Sequence, residues 1–415
     1  MKLKIKNIGK IKDSIIEFNG LTVIAGINST GKSTVSKILY CIFNSLNNFN
    51  LNNAYEIKNS LRRHIYSLFD FFRESVDISN YIEELFKLRN ERVNNEIVVQ
   101  VIDNAVNSIK DNGGVSIPDE EFAVQRINIQ NTILNILKTN DEVYKLNRCN
   151  REFQNEFGKQ INSLFNDNAG EIVLNLKNKD YIFKFENDKL MHFSHDINIL
   201  YDILYYDDPN LISDLSLWRR NRTRNDKIAR FILNNDNNTI DEVILNERLN
   251  CISHLIEIID VGSLKKNSSI GYAVLDNKYR KPLNVNNLSM GSKALLVLVQ
   301  IFYSSFMKDK NLLILDEPEI HLHPDWQIIL AEMIVLIQRE FSLTCLINTH
   351  SPYFLNAIET YTNKYKTNDI CKYYFAKNDN ENKFSSFTDC TNNIDIIYKS
   401  LSKSFDELFE TRGDL

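Results

Sequence analysis

Hydrophobic and polar positions follow two different periods along the chain, and together they predict an ordered series of strands and helices. Residues 2–6 alternate lysine with leucine or isoleucine, which is the period of a β-strand. Ile15–Phe18 and Leu21–Ala25 predict two more strands, the second of them buried because it is continuously apolar. Apolar residues then recur at helical spacing over Val35–Ile42.

The middle of the chain, residues 46–170, has a mainly helical pattern. The spacing predicts one helix over Ile82–Val101 and another over Ile129–Leu137, without the sustained heptads of a long coiled coil. Strand-like alternation returns at Glu171–Phe185 and at Ile199–Tyr206.

The last third of the chain alternates helices with strands. The predicted elements are a helix over Lys293–Phe306, a strand over Leu312–Leu315, a helix over Pro324–Phe341, a strand over Leu343–Asn348 and a helix over Phe354–Tyr361. Such alternation favours a parallel sheet with right-handed crossovers, and therefore an α/β fold.

Composition narrows the class of protein further. The 415 residues are 43% hydrophobic and 25% charged, which is typical of a globular chain. The net charge of −5 provides no global basic field for binding nucleic acid. The six cysteines form no C-x-x-C pair, and no apolar run is long enough to cross a bilayer. We therefore expect a soluble, cytoplasmic protein that has no membrane partner.

The segment between the third strand and the first helix carries the strongest motif. Residues 26–33, GINSTGKS, match G-x-x-x-x-G-K-[ST] in the strand-to-helix context that a phosphate-binding loop requires. Lys32 is expected to neutralise the β- and γ-phosphates of ATP, and Ser33 to ligate Mg²⁺. The candidate nucleotide-binding residues are Gly26, Asn28, Ser29, Thr30, Gly31, Lys32, Ser33 and Thr34.

Polar residues with catalytic potential follow two later strands. Asp316 and Glu317 end an apolar strand, where the first suits a contact to Mg²⁺ and the second can polarise an attacking water. His350 follows the next strand, so we expect it at the same sheet edge, able to bond a γ-phosphate or to orient water.

Two further groups leave alternatives open. Ser289 and Gly291 precede a helix, and on their own they predict only an N-terminal cap and a close backbone approach. A basic cluster could contact the phosphate backbone of DNA or RNA, or could equally be a solvated face. Its members are Arg219, Arg220, Arg222, Arg224, Lys227 and Arg230.

Four segments in this order resemble the ABC-type ATPase heads of the SMC, RecF and OLD-like group. They are the loop at 26–33, Leu288–Gly291, Leu315–Glu319 and Thr349–His350. The string DEPEIHLHP at residues 316–324 is similar to the OLD-like branch. The resemblance covers residues 1–42 and 262–356 well and 171–211 weakly. It implies an ABC-type P-loop NTPase head with a mixed or parallel sheet, formed by residues 1–45 and 171–415 and split by a mainly helical insertion at 46–170.

The resemblance also implies roles for these residues. Such heads form a homodimer, or a higher even oligomer, around two ATP molecules. Ser289 and Gly291 would contact the γ-phosphate held by the other subunit. Asp316 would be the Walker B acid, Glu317 the catalytic base and His350 the switch histidine. A metal site at His321 and His323 is disfavoured, because both continue a string that lies at the dimer interface in relatives.

Function is expected from the same resemblance. The chain is similar to the ATPases of the Septu and PARIS anti-phage systems, which act with a separate nuclease or toxin. We expect no nuclease domain in this chain, since about 60 residues follow Pro352. One alternative is a DNA repair or maintenance ATPase that grips DNA itself. Another is a slowly hydrolysing ATP-dependent scaffold. Ser29 and Met290 stand where relatives often have Gly, which bears on the hydrolysis rate.

Overall fold

The chain divides into two compact units. The computed structural model describes residues 1–403 except 68–76, 91–92, 114–118, 195, 218–223, 234–246, 268, 270, 380 and 382. The first unit, called the head below, contains Met1–Asn47 and Cys149–Leu415, and the second, called the helical unit, contains Asn48–Arg148. Residues 149–170, expected in the insertion, belong to the head, where Cys149 Sγ lies 3.0 Å from Ser45 Oγ.

Strands of the head form two sheets within the described residues. The strands are β1 (Lys2–Ile8), β2 (Ile11–Glu17), β3 (Leu21–Gly26), β4 (Gly170–Leu176), β5 (Lys179–Glu186), β6 (Lys189–Phe193), β7 (Ile203–Tyr206), β8 (Ser263–Asn267), β9 (Gly271–Leu275), β10 (Leu283–Asn284), β11 (Leu312–Asp316), β12 (Thr344–Thr349), β13 (Cys371–Asn378) and β14 (Ser385–Asp389). The large sheet has the order β6-β5-β4-β1-β2-β14-β13-β3-β12-β11-β7, and β10-β9-β8 form a small one.

Parallel strands occupy one side of the large sheet. β13, β3, β12, β11 and β7 pair in parallel, and every residue of β3 and β11 is buried. This burial explains the continuously apolar sequences of these strands. The register sets Asp316 opposite Asn348, and Asn348 opposite Ile24. The loops that follow β3, β11 and β12 therefore leave the sheet at the same edge.

Antiparallel strands form the other side of the sheet. β1 pairs with β2 and β4, and β4 pairs with β5. Leu3 and Ile5 are fully buried, as the alternation predicts. The predicted strand at Ile199–Tyr206 is shorter in the structure, where β7 begins at Ile203.

The described helices belong to both units, and those of the head cover both faces of the parallel strands. The helices are α1 (Lys32–Leu46), α2 (Phe49–Ser67), α3 (Ser79–Asn90), α4 (Asn95–Gly113), α5 (Asp119–Lys138), α6 (Asp141–Glu156), α7 (Arg224–Leu233), α8 (Ser253–Ile259), α9 (Met290–Phe302), α10 (Pro324–Phe341) and α11 (Pro352–Lys364). Apolar residues of α9, α10 and α11 share one core with Val23, Leu313 and Ile347. Ile24 and Ile314 alternate with these residues along their strands, so they point to the opposite face of the sheet. Both are fully buried, and α1 contacts their strands. The predicted α/β fold with a mixed sheet is confirmed.

The helical unit has an apolar core of its own. Its helices bury leucine, isoleucine and valine side chains, among them Leu61, Leu85, Ile102 and Ile133.

Among the described helices of the whole chain, none combines the length and hydropathy that a bilayer-spanning segment requires.

Two helix predictions need correction. The single helix expected over Ile82–Val101 is two helices, because α3 ends at Asn90 and α4 begins at Asn95. Asn94 Oδ1 accepts a hydrogen bond from the Glu96 amide at 2.9 Å, as a residue that caps a new helix does. The helix expected over Lys293–Phe306 is α9, which begins three residues earlier, directly after its cap Ser289, and ends at Phe302.

Candidate functional site

The loop between β3 and α1 has the shape of an anion-binding cradle. Gly26 is required there, because a Cβ atom at this position would lie 2.2 Å from the Ala376 carbonyl oxygen of β13. Ser29 and Gly31 have φ angles of 62° and 81°. No described side chain caps the N-terminus of α1, and its first turn has no acidic residue. The first amide groups of α1 are therefore available to phosphate oxygens.

The predicted loop residues differ in exposure. Asn28 and Ser29 are exposed, Ser33 and Thr34 are half-buried, and Thr30 and Lys32 are buried. The Thr30 hydroxyl donates to the Ile27 carbonyl at 2.9 Å, which stabilises the turn.

Lys32 extends its ammonium group back along this loop. Its Nζ donates to the carbonyl oxygens of Gly26 at 3.1 Å and Ile27 at 2.9 Å, and lies 3.3 Å from Nδ1 of His350. Burial lowers the pKa of Lys32 to about 8, although Glu317, Asp316 and Glu319 act in the opposite direction. An incoming polyanion would compensate this charge, as the predicted phosphate contact requires.

Asp316, the last residue of β11, is held from two sides. The Tyr205 hydroxyl donates to Oδ2 at 2.8 Å, and the amide group of Asn348 donates to Oδ1 at 2.8 Å. The same amide group donates to Ser36 of α1 at 2.8 Å. The carboxylate is thus fixed in orientation relative to both neighbouring strands and to α1.

Glu317 and His350 form a close pair at the predicted sheet edge. Nε2 of His350 lies 2.5 Å from Oε1 of Glu317. This hydrogen bond is the main reason that the pKa of Glu317 is lowered, so its carboxylate is ionised at neutral pH. Because Nδ1 of His350 faces the Lys32 ammonium, the ring accepts there and donates from Nε2. The φ angle of Glu317 is 53°, an unusual backbone for a residue with a side chain, and such strain is common at functional sites.

A pocket of about 180 Å³ opens beside these residues. Its lining includes Ser33, Asp207, Asp316 and Glu317. Hydroxyl and carboxylate oxygens are ligands that suit Mg²⁺, which also keeps water and substrate phosphate oxygens. These residues fit a magnesium ion bound together with a nucleotide. Within the described ranges, no three His, Cys, Asp or Glu side chains could enclose a metal ion by themselves, His321 and His323 included.

Sequence reasoning missed Asp207 and Glu319. Asp207 follows β7, and only the pairing of β7 with β11 brings it to the pocket. Glu319 is 5% exposed, and its Oε1 accepts hydrogen bonds from the Thr349 hydroxyl and from the His350 amide, the latter at 3.3 Å. Burial raises the pKa of Glu319. These hydrogen bonds join the loop after β11 to the end of β12 and the loop that follows it.

Ser289 and Gly291 lie apart from the pocket lining of their own chain. The Ser289 hydroxyl caps α9 by accepting from the Ser292 amide at 3.1 Å. A Cβ atom at Gly291 would lie 2.7 Å from the His321 carbonyl oxygen. The segment around Ser289 is therefore packed tightly against the loop that continues from Glu317. His323 itself caps α10 through a contact of 3.4 Å from the Asp325 amide to Nδ1.

Two members of the basic cluster form ion pairs within the head. Arg224 pairs with Asp207 and Glu156, and Lys227 pairs with Asp202. These two residues therefore do not form the solvated or DNA-facing surface that the sequence suggested, whereas Arg230 is exposed. Arg219, Arg220 and Arg222 lie outside the described residues.

The sequence matches a known protein family. The sequence pattern of the AAA ATPase domain family matches residues 1–355. No curated protein matches the sequence significantly.

Among solved structures, the SMC head domain from Thermotoga maritima is 11% identical with a TM-score of 0.38, covering 94% of this chain and 97% of that one. The Smc head domain with a coiled coil and joint from Pyrococcus yayanosii is 11% identical with a TM-score of 0.40, covering 97% and 99%. The Smc head domain bound to the C-terminal domain of ScpA, from Pyrococcus furiosus, is 12% identical with a TM-score of 0.36, covering 99% and 98%.

Proposed function

The chain belongs to the AAA ATPase domain family, and we propose that its head binds ATP with Mg²⁺ and hydrolyses it at the pocket beside Ser33. The observation that carries this proposal is the chain of contacts from Lys32 to His350 to Glu317 beside the uncapped start of α1. Phosphate, metal and water would meet at this point.

Each residue has one task in the proposed reaction. The α1 amides and Lys32 would bind the phosphates, and Ser33 and Asp316 would hold a Mg²⁺ ion, which supplies positive charge to neutralise them. Glu317, ionised and oriented by His350, would accept a proton from the attacking water. The water oxygen would bond to the γ-phosphorus while the bond from that phosphorus to the β,γ-bridging oxygen breaks, which releases ADP and phosphate. His350 would respond to the γ-phosphate through Lys32, because its Nδ1 accepts a hydrogen bond from the ammonium group that would bind the phosphate.

We further propose that two heads close on two ATP molecules. Ser289 is exposed, whereas Gly291 is buried against the loop that follows Glu317, so this segment presents its Ser289 end to solvent beside that loop. Because Ser289 does not line the described pocket of its own chain, it would contact ATP held by another copy, with the Gly291 backbone behind it as the resemblance implies.

The dimer proposal is tested with Glu317→Gln, which should bind ATP and accumulate as a dimer because hydrolysis is blocked. Light scattering with and without ATP measures the mass. Adding Ser289→Arg should return the protein to monomers, whereas Ser269→Arg, an exposed position in the small sheet region, should not. A Glu317→Gln protein that stays monomeric with saturating ATP refutes the dimer.

The role of the dimer is proposed from the resemblance to anti-phage ATPases. ATP binding and hydrolysis would control a separate nuclease or toxin in a bacterial defence system. Phage plating on cells that carry the gene with its chromosomal neighbours tests this role. We expect protection with the wild-type gene and none with Lys32→Ala. Equal plating on wild-type and empty-vector cells would reject the defence role while leaving the ATPase proposal intact.

A further inference from the structure

Arg224, the first residue of α7, joins two acidic side chains beneath the pocket. Its Nη1 lies 2.7 Å from Oδ2 of Asp207, and its Nε lies 3.1 Å from Oε2 of Glu156. The side chains are only 20% exposed for Arg224 and 12% for Glu156. The Asp207 side chain is more open, at 28% exposed. Loss of Arg224 would therefore leave Glu156 as a nearly enclosed charge without its partner, and Asp207 without the contact that fixes its orientation.

The same guanidinium group also contacts the ring of Tyr205, which in turn is hydrogen-bonded to Asp316. Its central carbon lies 4.3 Å from the centroid of the Tyr205 ring, a cation–π contact. The Tyr205 hydroxyl donates to Asp316 at 2.8 Å. Arg224 is thus in contact with Asp207 directly and with Asp316 through one intervening side chain.

Both acidic residues at the ends of these contacts line the pocket, whereas Arg224 does not. We propose that Arg224 is a positioning residue for the ATP–Mg²⁺ site, which fixes the carboxylates of Asp207 and Asp316 on the side where the metal ion would bind. The inference rests on the proposed function. Residues that orient metal-facing carboxylates typically contribute about 10- to 100-fold to metal affinity.

A purely structural ion pair would act differently. It would contribute to the stability of the head and would alter ATP binding equally with and without metal. A positioning role instead predicts a selective loss of the metal-dependent part. The discriminating quantity is therefore the ratio of ATP affinity with Mg²⁺ to ATP affinity in EDTA, measured alongside the midpoint of thermal unfolding.

The test uses Arg224→Gln and Arg224→Lys, with Arg230→Gln as the matched control at an exposed position of the same helix. For Arg224→Gln we expect the Mg²⁺ concentration that gives half-maximal ATP binding to rise about tenfold. ATP affinity in EDTA should stay unchanged. Arg224→Lys keeps the charge but loses the planar fork, so its effect should be intermediate. Arg230→Gln should behave as the wild type.

Tyr205→Phe keeps the inference testable if Arg224→Gln does not fold, since it removes only one hydroxyl group. It should also raise the required Mg²⁺ concentration, and its effect should not add fully to that of Arg224→Lys, because both act on Asp316. An unchanged Mg²⁺ requirement in the folded variants, or an equal loss of affinity in Mg²⁺ and in EDTA, overturns the positioning role. If the wild type itself binds no ATP, the proposed function fails instead.

Discussion

The head and the helical unit bury different kinds of side chain. Among the described residues, Asn53 is the only polar or charged residue of the helical unit that is buried. The head buries Lys32, Asp316, Glu319 and Asn348 together at one edge of its sheet. Burying a charged group is unfavourable unless it is paired or has a ligand. The comparison therefore places the chemistry in the head and assigns packing as the source of stability in the helical unit.

The largest expected effect tests the packing side of this comparison. Leu85 is fully buried in the core of the helical unit, so Leu85→Ala should lower the free energy of unfolding of that unit by about 2–5 kcal/mol. Urea denaturation and hydrogen exchange of residues 48–148 measure the loss. Lys87→Ala, exposed on the same helix, is the control. A variant that is as stable as the wild type would contradict the assigned core.

The second prediction concerns the buried charge of the head. Lys32→Ala removes the ammonium group expected to bind phosphate, so ATP binding should weaken by about 1.5–3 kcal/mol, roughly 10- to 150-fold. Titration calorimetry measures the affinity, and Lys87→Ala in the helical unit again serves as the control. If Lys32→Ala binds ATP as tightly as the wild type, Lys32 is not the phosphate ligand.

The pKa of Lys32 predicts a smaller effect that depends on pH. In the free head this pKa is about 8, and bound triphosphate should raise it. Above pH 8, ATP binding should therefore take up a proton and weaken by at most about tenfold per pH unit. Below pH 8 the ammonium group is already charged, so this dependence should vanish.

Proton uptake is measured by calorimetry at pH 8.5 in two buffers that differ in ionisation enthalpy. The same binding enthalpy in both buffers would rule out the uptake. In Lys32→Ala, ATP binding should take up no proton, and this result would assign the proton to Lys32.

The smallest effect is expected on the surface of the helical unit. Nζ of Lys58 lies 2.6 Å from Oε1 of Glu83, with side chains 30% and 53% exposed. A double-mutant cycle with alanine should give a coupling of about 0.2–1 kcal/mol. A coupling of several kcal/mol would mean that ion pairs, rather than the apolar core, hold this unit together.

Local pattern and strand order explain which parts of the site the sequence could predict. Lys32, Asp316 and His350 each follow or end an apolar strand, and parallel strands bring such ends to one edge. Tyr205 and Arg224 carry no such signal. They reach Asp316 and Asp207 only because β7 pairs with β11 and α7 packs on β7, and these contacts join distant parts of the chain.

The same reasoning explains the errors in the elements. The break between α3 and α4 depends on the Asn94 cap, whereas the apolar spacing from Ile82 to Val101 continues across it. Both interpretations of the basic cluster, a contact to nucleic acid and a solvated face, treated Arg224 as unpaired, because its acidic partners Glu156 and Asp207 lie outside the cluster. Charge patterns within one segment cannot show pairing with another.

The most direct test of the central claim is the ATP turnover of Glu317→Gln in the presence of Mg²⁺. The head is proposed to hydrolyse ATP through Glu317, so this variant should bind ATP normally while its turnover falls by about 100-fold or more. Glu381→Gln, exposed and far along the chain, should retain the wild-type rate. A Glu317→Gln protein that hydrolyses ATP as fast as the wild type would contradict the account.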